Sequence, residues 1–276
     1  MSNTSTHPTI TFIGGGNMAS ALIGGLRASG VPAAQVLVVE PSAEQRERLR
    51  REHGVEAAEE ATPALAGAGL VVWAVKPQLF AEAAAPCAPH VGGALQLSVM
   101  AGIRSDTIVA ATGSERVVRA MPNTPALIGR GIAGLYARPG LADDERARIE
   151  ALLTPTGETL WVDREEDLDA VTALSGSGPA YVFFVIEAMM EAAAALGLDA
   201  ERGRRLALAT FAGATELAQR SSDPPGVLRE RVTSKGGTTY AALCSLQADG
   251  VEAAFVRAIL AAARRARELG DEFGAA

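Results

Sequence analysis

Short apolar runs alternate with helical periodicities through the first part of the chain. The runs TITFI, QVLVVE, LVVWAV, GALQLSV, ERVVRAM and GIAGLYA are typical of buried strands, whereas NMASALIGGLRASG and SAEQRERLRREHG have the periodicity of helices. Strands that alternate with helices predict a parallel sheet covered by helices on both faces. We therefore expect a doubly wound α/β domain over residues 9–164.

The alternation of predicted strands and helices ends near residue 165, and the rest of the chain has helical periodicity. One long helical pattern is interrupted at SGSGP, residues 175–179, where Pro179 suits the first turn of a new helix. We expect an all-α domain over residues 165–276, and its Ala- and Met-rich helices favour packing against a second copy of the chain. The polar residues 1–8 are expected to form a disordered lead.

Composition and charge exclude several classes of protein. The net charge of -7 and the pI of about 5.2 argue against nucleic acid as the main partner. The two Cys and three His show no metal-ligand spacing, so we expect no metal site. The start of the chain lacks a signal pattern, and the apolar stretch YVFFVIEAMMEAAAALGL carries Glu187 and Glu191. Because carboxylates are costly in hydrocarbon, we expect a helix buried in protein, no membrane contact and a cytoplasmic location.

A glycine-rich turn follows the first predicted strand directly. Residues Gly14, Gly15, Gly16, Asn17, Met18 and Ala19 form a G-x-G-x-x-A pattern that opens a helix. In a Rossmann domain this pattern allows a tight turn, lets the backbone approach a pyrophosphate and lets the helix pack closely on the strand. The pattern therefore predicts dinucleotide binding, and the alternative is a tight structural turn between strand and helix.

The acidic residue at the end of the second strand bears on the choice of dinucleotide. Glu40 is placed to hold the ribose 2′-hydroxyl of NAD and would repel the 2′-phosphate of NADP. Ser42 and Arg46 follow it and offer that phosphate polar partners instead. Glu40 could also face solvent, so NAD and NADP both remain open at this point.

Two later strand ends carry polar residues that belong at the same edge of the sheet. Ala74, Val75, Lys76 and Pro77 end one strand, and Lys76 is a candidate contact for a phosphate or a substrate carboxylate. Asn123, in the MPNTP turn, offers both hydrogen-bond donors and an acceptor. The alternatives are a solvated lysine and a rigid turn with an asparagine cap.

A hydroxyl-rich loop, RVTSKGGTTYAAL, interrupts the helical domain. Gly236, Gly237, Thr238 and Thr239 present backbone N–H groups at the start of a predicted helix, which is an arrangement that binds anions. The alternative is a glycine-hinged turn with Ser and Thr caps. Together with a dinucleotide domain, the loop predicts hydride transfer to or from a small carboxylic acid. Glu165 and Glu166 begin the helical domain, where they favour a helix N-terminus or one of them contacts substrate.

The ordered motifs FIGGGNM, AVKP, RAMPNTPALIGRG, DAVTALSGSGPAYVF and LRERVTSKGGTTYAAL resemble the pyrroline-5-carboxylate reductase family over nearly the whole chain. The resemblance implies a Rossmann domain with a helical dimerisation domain, reduction of 1-pyrroline-5-carboxylate to L-proline and a preference for NADPH. It also implies an interleaved homodimer that assembles further into a decamer. The active site would lie between the dinucleotide domain of one chain and the helical domain of its partner.

The same resemblance assigns residue roles. Backbone N–H groups of residues 236–239 would hold the substrate carboxylate beside Ser234, and Thr239 would be the catalytic contact to the imine nitrogen. Glu165 matches a position near the substrate, while Ala101, Asn123 and residues 75–77 would line the nicotinamide side. The chain departs from the family pattern at Lys235, where proline is usual, and near Ala61, where many relatives carry asparagine.

Two other functions remain candidates at this point. A 3-hydroxyacid dehydrogenase shares the two-domain layout but needs a helical-domain lysine as acid and base, and Lys235, the only lysine of the second half, lies in a loop. A non-catalytic dinucleotide sensor would keep the glycine pattern without needing the anion-binding loop.

Overall fold

The computed structural model describes residues 9–274, so the predicted disordered lead at residues 1–8 lies outside the described residues. One eight-stranded sheet forms the centre of the first part of the chain. Its strands are β1 (Thr9–Ile13), β2 (Val36–Val39), β3 (Ala57–Ala58), β4 (Ala68–Trp73), β5 (Leu95–Ser98), β6 (Val117–Met121), β7 (Gly131–Ala137) and β8 (Gly157–Trp161). Their order in the sheet is β3-β2-β1-β4-β5-β6-β7-β8.

The sheet is parallel from β3 through β6, as the alternation of strands and helices predicts. The pair β6–β7 is antiparallel, with Val118 opposite Ala137. The connection from Met121 to Gly131 is too short for the crossover of a dozen or more residues that a parallel pair needs, so the chain turns back directly. The strands β3 and β8 were missed by the sequence analysis.

Helices cover both faces of this sheet. They are α1 (Asn17–Ala28), α2 (Ala43–His53), α3 (Phe80–Val91), α4 (Ser105–Thr112), α5 (Asp143–Leu153) and α6 (Asp167–Val171). Alternate strand residues enter two separate apolar clusters: Phe12 packs with α1, α2 and α5, whereas its neighbour Ile13 packs with α3 and α4. The doubly wound α/β architecture is therefore confirmed.

The second part of the chain is helical. It contains α7 (Gly178–Ala195), α8 (Ala200–Arg220), α9 (Pro225–Arg231), α10 (Thr238–Ala248) and α11 (Val251–Gly274). By compactness the chain divides into a first unit, which runs to Ser177 and includes the segment from Ala262 onward, and a second unit, Gly178–Ala261. The boundary placed at residue 165 from the sequence stays a prediction.

Large apolar side chains lie exposed on the second unit. They include Phe183, Phe184, Leu206, Leu217 and Phe255, each at least 44% exposed. So many large exposed apolar side chains on one unit are typical of a surface that contacts another molecule. Asp167–Ala195 is long and apolar enough to cross a membrane, with mean hydropathy 1.3, but it carries Glu187 and Glu191. The expectation that this helix is buried in protein is not met within the described chain, where 0% of its most apolar window is buried.

Candidate functional site

The residues predicted to bind the dinucleotide lie at one edge of the sheet. Gly14–Gly16 follow β1, Glu40 follows β2, Ala74–Pro77 follow β4, Ala101 lies just beyond β5 and Asn123 just beyond β6. Because these five strands are parallel, their carboxyl ends share an edge. The chain returns from β3 to place β4 on the other side of β1, which is the switch point where such sheets bind ligands.

Each of the three glycines in the turn occupies a position with a different geometric constraint. Gly14 has φ +99°, and a Cβ there would lie 2.7 Å from the carbonyl oxygen of Ala74. A Cβ on Gly15 would lie 2.8 Å from Cδ1 of Leu49. Gly16 has nothing within 4 Å of its Cβ position, so its outer side is open to a ligand. The turn thus forms a cradle in which backbone, not side chains, faces the open side.

The N-terminus of α1 supplies donors to this cradle. Gly16 precedes the helix without a side-chain cap, and the first helical hydrogen bond runs from Ser20 N to Gly16 O at 2.9 Å. The N–H groups of Asn17, Met18 and Ala19 come before that bond and have no partner inside the helix. Together with the helix dipole they fit the pyrophosphate of a dinucleotide.

Glu40 is buried and its carboxylate is held at both oxygens. It accepts the N–H of Gly15 at 2.7 Å and the N–H of Ser42 at 2.8 Å. The interpretation of Glu40 as a solvent-facing residue is therefore wrong. Ser42 caps α2 by accepting the N–H of Gln45, and Arg46 donates to the carbonyls of Glu40 and Pro41.

A cleft of about 540 Å³ opens beside the cradle and reaches the ends of β1, β2 and β4. Its walls include Ala61 and three carboxylates, those of Glu59, Glu60 and Glu82. Cys87 lies at its base, where burial raises the pKa of the thiol to about 11 and keeps it protonated near neutral pH. This cleft has the size and position for the adenosine end of a dinucleotide.

Of three other predicted residues at this edge, Asn123 has a local structural role. Asn123 uses both ends of its amide, since Nδ2 donates to the carbonyl of Ser175 at 3.1 Å and Oδ1 accepts the N–H of Ile132 at 3.0 Å. Its side chain joins β7 to the π-helical turn Thr172–Gly176 and makes no cap hydrogen bond to the turn that follows it, so the expected asparagine cap is not formed. Lys76 is exposed, and Ala101 is partly buried beside Gly102.

Glu165 lies at the centre of a polar cluster that the sequence analysis missed. Its carboxylate accepts the N–H and the hydroxyl of Ser105, each at 2.6 Å, and Nη1 of Arg119 at 2.9 Å. Arg119 is only 5% exposed, and its burial lowers the pKa of the guanidinium while Glu165 opposes that shift. An arginine inside the apolar run ERVVRAM was the signal that could have revealed the cluster.

The hydroxyl-rich loop lies in the second unit and ends at α10. Gly236 has φ +75°, and a Cβ on Gly237 would lie 2.6 Å from Oγ of Ser234. The N–H of Gly237 donates to the carbonyl of Ser234 at 3.0 Å, so its predicted role as an anion donor is not available in this conformation. The first helical bond runs from Ala241 N to Gly237 O.

The donors at the start of α10 therefore differ from the predicted set, which ended at Thr239 and included Gly237. The N–H groups of Thr238, Thr239 and Tyr240 precede the first helical bond and have no partner inside the helix. Tyr240 was missed because its role depends on the residue at which the helix begins, here Thr238. Lys235 is exposed in the same loop. Among residues 9–274, no three metal-ligating side chains are grouped into a metal site.

A doubly wound sheet with a glycine cradle at its switch point is followed here by a helical unit, and this combination defines a class. This is the class of two-domain oxidoreductases that use a nicotinamide dinucleotide.

Comparison with known proteins identifies the family. Residues 165–269 match the family model described as pyrroline-5-carboxylate reductase dimerisation, and residues 9–102 match the model described as NADP oxidoreductase coenzyme F420-dependent. A pyrroline-5-carboxylate reductase of Pseudomonas aeruginosa is 46% identical over 269 residues, covering 97% of this chain and 98% of that protein. One of Haemophilus influenzae is 39% identical, covering 97% and 99%. The chain belongs to the pyrroline-5-carboxylate reductase family.

Solved structures agree with this assignment. A pyrroline-5-carboxylate reductase of Coxiella burnetii superposes with a TM-score of 0.87 at 34% identity, covering 95% of this chain and 98% of that one. A pyrroline carboxylate reductase of Plasmodium falciparum with NADP bound has a TM-score of 0.86 at 26% identity, covering 96% and 99%. The predicted fold, a Rossmann domain followed by a helical dimerisation domain, is confirmed.

Proposed function

We propose that this chain reduces 1-pyrroline-5-carboxylate to L-proline, the last step of proline biosynthesis, with NADH or NADPH as the reductant. The observation that carries the proposal is the group of unpaired N–H groups of Thr238, Thr239 and Tyr240 at the start of α10. A small carboxylate is the ligand that such a helix start favours. A dinucleotide sensor would not need this second anion site.

In this reaction the main role of the protein is to position the substrate and the cofactor. The start of α10 would hold the carboxylate of the substrate, and the hydroxyl of Thr239, in the first turn, would contact the imine nitrogen. The nicotinamide cofactor, when bound, supplies hydride to the C=N carbon. Alignment of the two reacting groups accounts for most of the rate. Because a threonine hydroxyl is a poor acid, the proton comes from solvent or arrives with the already protonated imine.

The remaining site residues keep smaller roles in this proposal. Residues 14–18, with Glu40 and Ser42, would hold the adenosine and pyrophosphate, while residues 74–77, Ala101 and Asn123 would lie on the nicotinamide side. Ser234, Gly236 and Gly237 would shape the loop around the substrate. Glu165 would hold the edge of the site in place through Ser105 and Arg119 rather than through direct contact with substrate.

The proposed assembly is a cytoplasmic homodimer formed through the helical units. The dimerisation family matched by residues 165–269 and the exposed apolar side chains of the second unit support it. Burial of that surface by a second copy would remove a large apolar area from water. In this assembly the loop of one chain would serve the dinucleotide site of its partner.

The test is an absorbance assay of nicotinamide oxidation with pyrroline-5-carboxylate. We expect Thr239→Ala to lower kcat about 100-fold, because the imine loses a contact that aligns it with the hydride donor, while the Kd for the cofactor stays unchanged. Thr239→Ser, which keeps the hydroxyl, and Thr238→Ala, which removes only the neighbouring hydroxyl, are the matched controls. Unchanged turnover in Thr239→Ala would remove Thr239 from the mechanism, and binding of cofactor without its oxidation would favour the sensor.

A further inference from the structure

We propose that the dinucleotide site of this chain selects NADH over NADPH and that Glu40 sets the choice. The proposal rests on the dinucleotide site of the proposed function and concerns only its adenosine end. Glu40 lies just beyond β2 and is 9% exposed, at the rim of the cradle formed by Gly14–Gly16. At this place in the fold a carboxylate meets the ribose hydroxyls of a bound dinucleotide.

The carboxylate of Glu40 is already oriented in the structure. One oxygen accepts the N–H of Gly15 at 2.7 Å and the other accepts the N–H of Ser42 at 2.8 Å. Each carboxylate oxygen has two acceptor positions, so each keeps one for a hydroxyl donor such as the ribose 2′-OH. A 2′-phosphate presents acceptor oxygens and negative charge at the same point. Its oxygens would therefore lie against those of the Glu40 carboxylate, with no hydrogen bond between them and with like charges together.

The surroundings of Glu40 add to this discrimination. Glu59, Glu60 and Glu82 line the cleft into which the adenosine end would extend, and no lysine or arginine is among the residues that line it. A phosphate monoester brings between one and two further negative charges into this cleft. Like charges placed together are a common basis for rejecting the wrong ligand.

Two of the four arginines of α2, Arg46 and Arg48, already donate to groups of the protein. Arg46 donates from Nη1 to the carbonyls of Glu40 and Pro41 and from Nη2 to Glu59 at 3.0 Å. Arg48 donates from Nη1 to Oδ1 of Asn17 at 2.9 Å, at the start of α1. Arg46 would have to break its bonds to pair with a 2′-phosphate, whereas a 2′-hydroxyl leaves them intact. The Nε and Nη2 groups of Arg48 have no hydrogen-bond partner but are buried. Relatives such as the P. falciparum protein bind NADP, so the choice is a property of the residues of this chain.

The first experiment is calorimetric titration of the purified full-length protein with NADH and NADPH in the absence of pyrroline-5-carboxylate. We expect NADH to bind at least 10-fold more tightly. Titrations with ADP-ribose and with adenosine 2′,5′-bisphosphate isolate the adenosine end and require no variant. Equal or tighter binding of NADPH, or of the bisphosphate, would overturn the proposal.

The second experiment compares Glu40→Gln with Glu44→Gln. Glu44 is exposed on α2 and does not line the cleft, so its variant should keep the wild-type ratio of the two dissociation constants. Glu40→Gln should bring that ratio close to one, and an unchanged ratio would contradict the assignment to Glu40. If the variant does not fold, the wild-type titrations still decide the preference. Failure of the protein to reduce pyrroline-5-carboxylate would overturn the proposed reaction while leaving these binding ratios intact.

Discussion

The substitution Glu165→Gln separates a structural role of this residue from direct contact with substrate. Glutamine keeps the size of the side chain but removes its charge and replaces one acceptor oxygen with an N–H₂ group. In the folded protein that group would face Ser105 or Arg119, both of which donate to Glu165. Arg119 would then remain buried, with its side chain 6% exposed and its contact to a carboxylate lost.

The size of the effect follows from the burial of the pair. Removing one partner of a buried ion pair costs about 3–5 kcal/mol. The side chain of Glu165 is 15% exposed, and Asp169 adds a second, more distant carboxylate near Arg119, so we expect the lower end of that range. A loss of about 3 kcal/mol lowers the midpoint of thermal unfolding by roughly 6–12 °C in a protein of this size.

The assay is thermal and urea unfolding at one fixed, high protein concentration, because dimerisation makes the midpoint depend on concentration. Glu166→Gln is the matched control: Glu166 is exposed, and its loss should change stability by less than about 0.5 kcal/mol. Arg119→Met in the Glu165→Gln background should recover part of the loss, since it removes the orphaned charge. The KM for substrate, measured below the transition, should change little. Wild-type stability together with a raised KM would refute this reasoning and place Glu165 on the substrate.

Two further predictions follow from the first unit. Gly14→Ala should weaken cofactor binding at least 10-fold, because its Cβ would lie 2.7 Å from the carbonyl of Ala74 at φ +99°, and it should cost about 1–3 kcal/mol of stability; unchanged binding by calorimetry would count against the cradle. Burial lowers the pKa of His53, bonded to Ser20, below its usual 6.5, so the unfolded chain binds the proton more readily. Stability should therefore be full above pH 6.5 and fall as the pH drops through that value, and the fall should be smaller in His53→Gln; identical urea midpoints for the two proteins across this range would disprove it.

The elements of the fold that were predicted correctly are those that local sequence patterns specify. The runs TITFI and LVVWAV became β1 and β4, and the glycine pattern became a turn at the switch point, because strand periodicity and glycine geometry are properties of neighbouring residues. The antiparallel pairing of β6 with β7 was not predicted, although the connection from Met121 to Gly131 is too short for a parallel crossover. The two-residue strand β3 carries too little periodicity to be recognised.

The features that were not predicted depend on contacts between residues far apart in the chain, or on the exact residue at which a helix begins. Glu165 meets Ser105 and Arg119, which are 60 and 46 residues away along the chain, so no local pattern reveals their contact. The anion donors of α10 shifted from Gly237 to Tyr240 because the helix begins at Thr238 and the preceding turn uses the N–H of Gly237. Assignments of a helix end commonly differ by one or two residues. At the start of α10 a difference of that size changes which N–H groups are free to bind a ligand.

The central claim is that this chain makes L-proline from pyrroline-5-carboxylate. Its most direct test is to incubate the wild-type protein with that substrate and with NADH or NADPH, and to quantify both oxidised nicotinamide and proline by chiral chromatography. With the L-enantiomer of the substrate, we expect L-proline and oxidised cofactor in equal amounts, because reduction of the imine carbon leaves the carboxylate-bearing carbon unchanged. Oxidation of the cofactor without formation of proline, or no reaction with either cofactor, would contradict it.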